Sequence, residues 1–122
     1  MMNSTTNDIK TMIGQMIMVG LRGTSPDDAK YFFQPLNGFT IGGVILYDQN
    51  VTTSPPSSHN ILSPEQVKDF NEALQSFSPT PLLIGIDQEG GQVNRLKESY
   101  GFPTSTYSRE RRKISCRHRT AI

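Results

Sequence analysis

The sequence contains one cysteine and no long apolar run, and both shortages narrow what the chain can be. With Cys116 alone, the chain closes no internal disulfide and builds no cysteine zinc cluster, so a redox function is not expected. No stretch reaches 18 apolar residues, which excludes a membrane-spanning helix. Only 34% of the 122 residues are hydrophobic. Length and composition together indicate one domain with a thin core.

The net charge of +1 is the sum of the charges of two stretches, one acidic and one basic. Residues 1–106 carry 6 basic and 10 acidic side chains, whereas residues 107–122 carry 6 basic and 1 acidic. Two interpretations compete for the basic end. It is either a stretch unrelated to the preceding domain or an arm that contacts nucleic-acid phosphates.

The first predicted helix follows Asp8, which we expect to cap it. Ile9, Met12, Ile13 and Met16 recur at the spacing that places apolar side chains on one face of a short helix. Two later helices are predicted over residues 26–36 and 63–77. Each starts at a Ser-Pro pair, and the second carries a capping box between Ser63 and Gln66, with Val67, Phe70, Leu74 and Phe77 on its buried face.

Three nearly all-apolar runs are predicted to be strands buried on both faces of a parallel sheet. They cover residues 16–20, 41–47 and 82–87. Because helices and strands alternate, the fold class is predicted to be α/β with a parallel sheet or barrel. Residues 48–62 show no periodicity and are predicted to form a long loop.

The densest polar cluster follows the third strand, from Asp87 to Arg95. Ligands of parallel α/β folds bind beyond the carboxyl ends of the strands, so Asp87 lies at a site-forming position. Gly90 and Gly91 permit positive φ and a close backbone approach. Asp87 and Glu89 have the spacing of a carboxylate pair, but spacing alone fits a solvated turn better than a glycosidase pair.

Five stretches carry a family resemblance when they are taken together and in order. They resemble the amino-terminal part of family 3 glycoside hydrolases, in particular bacterial β-N-acetylhexosaminidases. The resemblance implies the first part, about three strand/helix units, of a TIM-like (β/α)8 barrel. The stretches are IGQMIMVG (13–20), IGGVILY (41–47), LSPEQVKDFNEALQ (62–75), PLLIGIDQEGGQVNRLK (81–97) and GFP (101–103).

The resemblance also implies a function and roles for residues of the cluster. It implies an enzyme that hydrolyses terminal β-linked N-acetylglucosamine with retention of the anomeric configuration. The enzyme is expected to act on a carbohydrate in the cytoplasm and to use no cofactor or metal. Asp87 and Arg95 are implied to bind sugar hydroxyls, since carboxylates and guanidinium groups form paired, directional hydrogen bonds. Glu89, Gly90 and Gly91 are implied to shape the loop. Gln92 departs from the family, which commonly has Arg there.

The family's acid–base His/Asp pair and its nucleophilic Asp have no counterpart in these 122 residues. We therefore expect no catalytic residue in this chain and no activity of the chain alone. The alternative function is a non-catalytic remnant that binds a sugar or a partner. His59, in the long loop, is interpreted as a solvated histidine. The domain is assigned to residues 8–106, and residues 107–122 are interpreted as an unrelated basic tail, disordered or frameshifted, in preference to a nucleic-acid arm.

Overall fold

A computed structural model describes residues 4–36 and 39–103 of the chain. The basic tail over residues 107–122 and the domain boundary at residue 106 lie outside the described residues. The predictions made for them therefore stay predictions.

The fold is mixed α/β, as predicted, with three helices and a small parallel sheet in the described part. None of these helices is both long and apolar enough to cross a membrane. Short 3₁₀ turns occupy Gln34–Leu36 and Glu98–Tyr100. The elements follow the order α1 (Ser4–Gln15), β1 (Met18–Gly20), α2 (Pro26–Phe33), β2 (Gly43–Leu46), β3 (Gln49–Asn50), β4 (Ser57–Ser58), α3 (Pro64–Phe77) and β5 (Leu83–Ile86).

The parallel sheet has the strand order β1-β2-β5, so β2 lies in the centre. Val19, Val44 and Ile84 are aligned across the three strands. The stretch predicted as a structureless loop contains a second, two-stranded sheet, in which β3 pairs antiparallel with β4. We call residues 49–58 the hairpin.

The hydrophobic core lies between one face of the parallel sheet and the helices α2 and α3. Val44 and Leu46 of β2 point into it and are fully buried. Ala29 is the fully buried residue of α2, Phe32 and Phe33 pack beside it, and Phe70 is the largest buried side chain of α3. Phe77, predicted on the buried face of α3, is instead exposed because it lies in the last turn. Both crossover helices therefore cover the same face of the sheet.

The starts of α2 and α3 differ from the predictions in one detail. At α2 the capping box is complete, because the Ser25 hydroxyl accepts from the Asp28 amide while the Asp28 carboxylate accepts from the Ser25 amide. The Ser25 hydroxyl also donates to Asp28 and is the largest cause of the lowered pKa of that carboxyl. At α3 only Ser63 caps. The Gln66 side chain accepts from the Leu62 amide instead of the Ser63 amide.

Helix α1 lies at the edge of the sheet where the strands begin, and the prediction of its cap was wrong. It begins at Ser4, so Asp8 is inside the helix and is not its cap. The apolar side chains predicted to share one face are exposed, and the backbone contact of α1 with the sheet lies at its carboxyl end. There the Gly14 carbonyl accepts from the Gly42 amide, and a β-carbon on Gly14 would clash with the Thr40 carbonyl. The exposed stripe consists of Ile9, Met12, Ile13 and Met16.

The second face of the sheet carries apolar side chains that no described element covers. Met18 and Leu83 lie there in register with Gly43, and their exposed fractions are 43% and 67%. The prediction that all three strands are buried on both faces was therefore wrong for β1 and β5. The physical reason is that both helices α2 and α3 pack on the opposite face.

We predict that this apolar face causes self-association of the 122-residue chain and that Leu83→Lys reduces it. A charged group at an exposed position costs little in folding but opposes burial against a second molecule. Sedimentation velocity measures the association. The expected result is a larger monomer fraction for L83K with an unchanged far-UV circular dichroism spectrum.

The matched control is Val51→Lys, because Val51 is 75% exposed but lies in the hairpin, away from the sheet. It introduces the same charge and should leave the association unchanged. Equal effects of the two variants would assign the association to net charge and contradict a role for the sheet face.

Candidate functional site

The segment after β5, residues 87–97, lies at the carboxyl edge of the parallel sheet. Because the three strands are parallel, the same edge carries residues 47–50 after β2 and residues 21–24 after β1. The sequence prediction of a site at this edge concerned the first of these segments only. The side chains that hold the segment 87–97 in place come from that segment itself and from the residues after β2.

Gln88 fixes the conformation of the segment. Its Oε1 accepts from the backbone amides of Arg95 and Leu96 at 2.7 and 3.1 Å. Its Nε2 donates to Asn94 Oδ1 at 2.6 Å. One amide side chain thus connects the two ends of the loop. Loss of these hydrogen bonds would leave buried donors or acceptors unpaired, which lowers the free energy of unfolding by about 1–3 kcal/mol. No spacing pattern in the sequence indicates that Gln88 holds the segment.

The tip of the segment is a turn at Gly90 and Gly91. Their φ angles are 79° and 62°, in the left-handed region that only glycine adopts without strain. The Glu89 amide donates to the Val93 carbonyl at 2.9 Å and closes the turn. The side chains of Glu89 and Gln92 are exposed, so Glu89 contributes to the loop through its backbone.

A buried carboxylate, Asp48, holds the segment against the end of β2. It is 1% exposed and binds two cations, with Lys97 Nζ at 2.5 Å from Oδ2 and Arg95 Nη1 at 3.2 Å from Oδ1. An ionised carboxylate accepts such bonds with both oxygens, which offsets the cost of burying its charge. The residue was missed because a lone Asp after a strand has no distinctive spacing. Its only signal was its position directly after the strand run.

The ion pairs shift the titration of the groups involved. Burial by itself raises the pKa of the Asp48 carboxyl, but the hydrogen bonds and charges of Lys97 and Arg95 outweigh burial and lower that pKa below its ordinary value of 3.8. The hydrogen bond to Asp48 raises the pKa of Lys97. Since the pKa of Asp48 is lowered on folding, its contribution to stability is present above about pH 4 and is lost as the pH falls further.

Arg95 makes a second contact that orients its guanidinium group. Its Cζ lies 5.7 Å from the centre of the Tyr47 ring, a cation–π distance. The Tyr47 ring in turn lies 6.2 Å from the ring of His59. His59 is half-buried and its amide donates to the Asp48 carbonyl, so this histidine is part of the carboxyl edge and not a remote loop residue.

Asp87, the other predicted sugar-binding residue, directly follows β5 and is half-buried. Within residues 4–36 and 39–103, no side-chain hydrogen bond or ion pair engages its carboxylate. The structure thus brings Arg95 into contact with Asp48 and Tyr47, and places Asp87 directly after the end of β5. In the same part of the chain, no three metal-ligating side chains are grouped.

Comparison with known proteins relates the chain to one group of enzymes. Bacterial proteins named beta-hexosaminidase are similar to it. The one from Alkalilimnicola ehrlichii is 36% identical over 86 residues, which is 69% of this chain and 21% of that protein. The Stenotrophomonas maltophilia K279a protein is 32% identical over 85 residues (70% and 22%), and that of Vibrio cholerae O395 is 35% identical over 69 residues (56% and 18%). No protein-family model matches the chain. The chain spans about a fifth of the length of these curated relatives.

We predict that Asp48→Asn lowers the free energy of unfolding by about 2–3 kcal/mol at pH 7, because it removes the charge that two partly buried cations share. The measurement is urea unfolding followed by circular dichroism. The deficit should shrink as the pH falls below about 4, where wild-type Asp48 also becomes protonated.

Glu72→Gln is the control for this prediction, since it makes the same change in the exposed Lys68–Glu72 pair of α3. An exposed pair of this spacing contributes only about 0.3–0.5 kcal/mol. If the two variants lose equal stability, Asp48 does not hold the segment as described.

Proposed function

The chain is homologous to bacterial beta-hexosaminidases over about two thirds of its length, and on that premise we propose that it is part of a glycosidase of this kind. The proposed substrate is a terminal β-linked N-acetylglucosamine, and the proposed sugar-binding residues are Asp87 and Arg95. Hydrolysis belongs to the whole enzyme, whereas binding of the terminal sugar is assigned to this chain.

We also propose that the chain forms the first part of a (β/α)8 barrel, and support for this comes from the arrangement of helices around the sheet. The three parallel strands lie side by side in the sheet in the same order as in the chain. Helices α2 and α3 both pack on one face of that sheet. A (β/α)8 barrel has its helices only outside and its strands' inner faces turned inward. A doubly wound sheet has helices on both faces. The uncovered face with Met18 and Leu83 would correspond to the barrel interior.

Support for the site comes from the chemistry available at the carboxyl edge. The Asp87 carboxylate can accept hydrogen bonds from two sugar hydroxyls, and Arg95 still has donors beyond the one on Asp48. Arg95 is also held in place by Asp48 and Tyr47, so little side-chain entropy is lost when it binds. The single observation on which the proposal depends is the homology. The geometry explains how these two residues would serve it.

The test of the binding role is titration of the 122-residue chain with N-acetylglucosamine, monitored by NMR chemical shifts. We expect saturable binding and an affinity about tenfold weaker in Asp87→Asn, the loss of roughly one charge-assisted hydrogen bond. Asp69→Asn on the exposed surface of α3 is the matched control and should bind like the wild type. Equal affinities of D87N and the wild type would contradict the assignment of Asp87.

A second measurement separates binding from hydrolysis. We expect the purified chain to release no chromophore from an aryl N-acetyl-β-glucosaminide, because no nucleophile or acid–base group is assigned within it. Release that persists through repurification and is lost on Asp87→Asn would overturn this expectation and make the chain a catalyst by itself. Binding without release is the result that fits the proposal.

A further inference from the structure

A groove of about 530 Å³ opens between the segment after β1 and the hairpin. Its volume is within the range of about 300–1,000 Å³ that is typical of small-molecule sites. Arg22 lines one side, and Asn50, Ser57, Ser58 and His59 line the other. We call this feature the hairpin groove. It lies at the same edge of the sheet as Asp87 and Arg95 but is formed by different residues.

A buried amide side chain holds one wall of the hairpin groove. Asn60 is fully buried, and its Nδ2 donates to the carbonyls of Leu21 and Gly23 at 3.1 and 3.0 Å. Its Oδ1 accepts from the Tyr47 amide at 3.0 Å. One side chain therefore joins the ends of β1 and β2 next to Gly23, which lines the groove. A site held in this way loses little entropy when a ligand binds.

A second amide supports the same wall of the groove. Gln66 Nε2 donates to the Thr24 carbonyl at 2.7 Å and to the Asn60 carbonyl at 3.2 Å. The segment that carries Arg22 is thus fixed by the side chains of Asn60, which follows the hairpin, and of Gln66 in α3.

The lining of the groove is suited to a ligand rich in hydroxyl groups. It contains two serine hydroxyls, an amide, an imidazole and a guanidinium group, which offer both donors and acceptors. Among the described residues that form the lining there is no carboxylate and one exposed apolar side chain, Leu62. A sugar ring presents hydroxyls around its rim and C–H groups on its faces, which matches this combination.

Tyr47 links the groove to the proposed site for the terminal sugar. His59 lines the groove, its ring lies 6.2 Å from the Tyr47 ring, and the Arg95 guanidinium group lies over the same Tyr47 ring. We propose that the hairpin groove binds the second sugar, the one to which the terminal N-acetylglucosamine is attached, and that Arg22 is its main polar contact. This inference rests on the proposed function and adds a subsite to it.

The test compares N-acetylglucosamine with its β-1,4-linked disaccharide as ligands of the 122-residue chain. We expect the disaccharide to bind about tenfold more tightly. Arg22→Gln should remove most of that gain and leave the affinity for the monosaccharide unchanged. Ser58→Ala, which removes one hydroxyl from the opposite wall, should remove part of the gain in affinity for the disaccharide. The control is Lys30→Gln, which removes one exposed cation from α2 and should alter neither affinity.

The outcomes separate this inference from the proposed function. If the monosaccharide binds and the disaccharide binds no more tightly, the subsite is wrong and the proposed function stands. If Arg22→Gln weakens both ligands equally, Arg22 does not act in a separate subsite and the inference is likewise overturned. If neither sugar binds, both the proposed function and the subsite are contradicted.

Discussion

The parallel pairing of β1, β2 and β5 is the constraint on which the rest of this structure depends. The central strand forms hydrogen-bonded ladders on both sides and supplies Val44 and Leu46, which are fully buried against the two crossover helices. Parallel strands place all their carboxyl ends at one edge, so three loops that are far apart in the chain meet there. The contacts of Asp48, Asn60 and Arg95 depend on that meeting.

Polar side chains, not apolar ones, fix the loops at this edge. Asn60 joins the ends of β1 and β2, Asp48 joins the end of β2 to the segment after β5, and Gln88 closes that segment on itself. Each has partners for the buried atoms that it presents, which is why burial of Asn60 and Asp48 is tolerated. These bonds are directional, so they set the orientation of Arg95 and of the segment around Arg22 more sharply than apolar packing could.

The two faces of the sheet are unequal, and the difference has a simple origin. Residues of β2 with even numbers face α2 and α3, and those with odd numbers face away from them. Glycines occupy much of the second face, at Gly20, Gly43 and Gly85, and the Met18 side chain lies across two of them. Under the proposed function this face belongs to a barrel interior, where the side chains of the other strands would pack against it.

Much of the fold could be predicted from local patterns in the sequence. The run Ile41 to Tyr47 predicted β2, and Ser25-Pro26 predicted the start of α2, because apolar periodicity and caps act over a few residues. Exposure was less predictable. The stripe of α1 and the outer side chains of β1 and β5 have the same composition as buried ones, and only the arrangement of layers leaves them uncovered.

The sequence by itself determined the alternation of helices and strands, the glycine turn after β5 and the family resemblance that its motifs carry. Only the tertiary structure decided that Asp48 is the anchor of Arg95 and Lys97, that His59 lies beside Tyr47, and that the hairpin and Arg22 enclose a groove. The reason is distance along the chain. Asp48 and Lys97 are 49 residues apart, and no local pattern encodes a contact that exists only after parallel strands have brought their ends together.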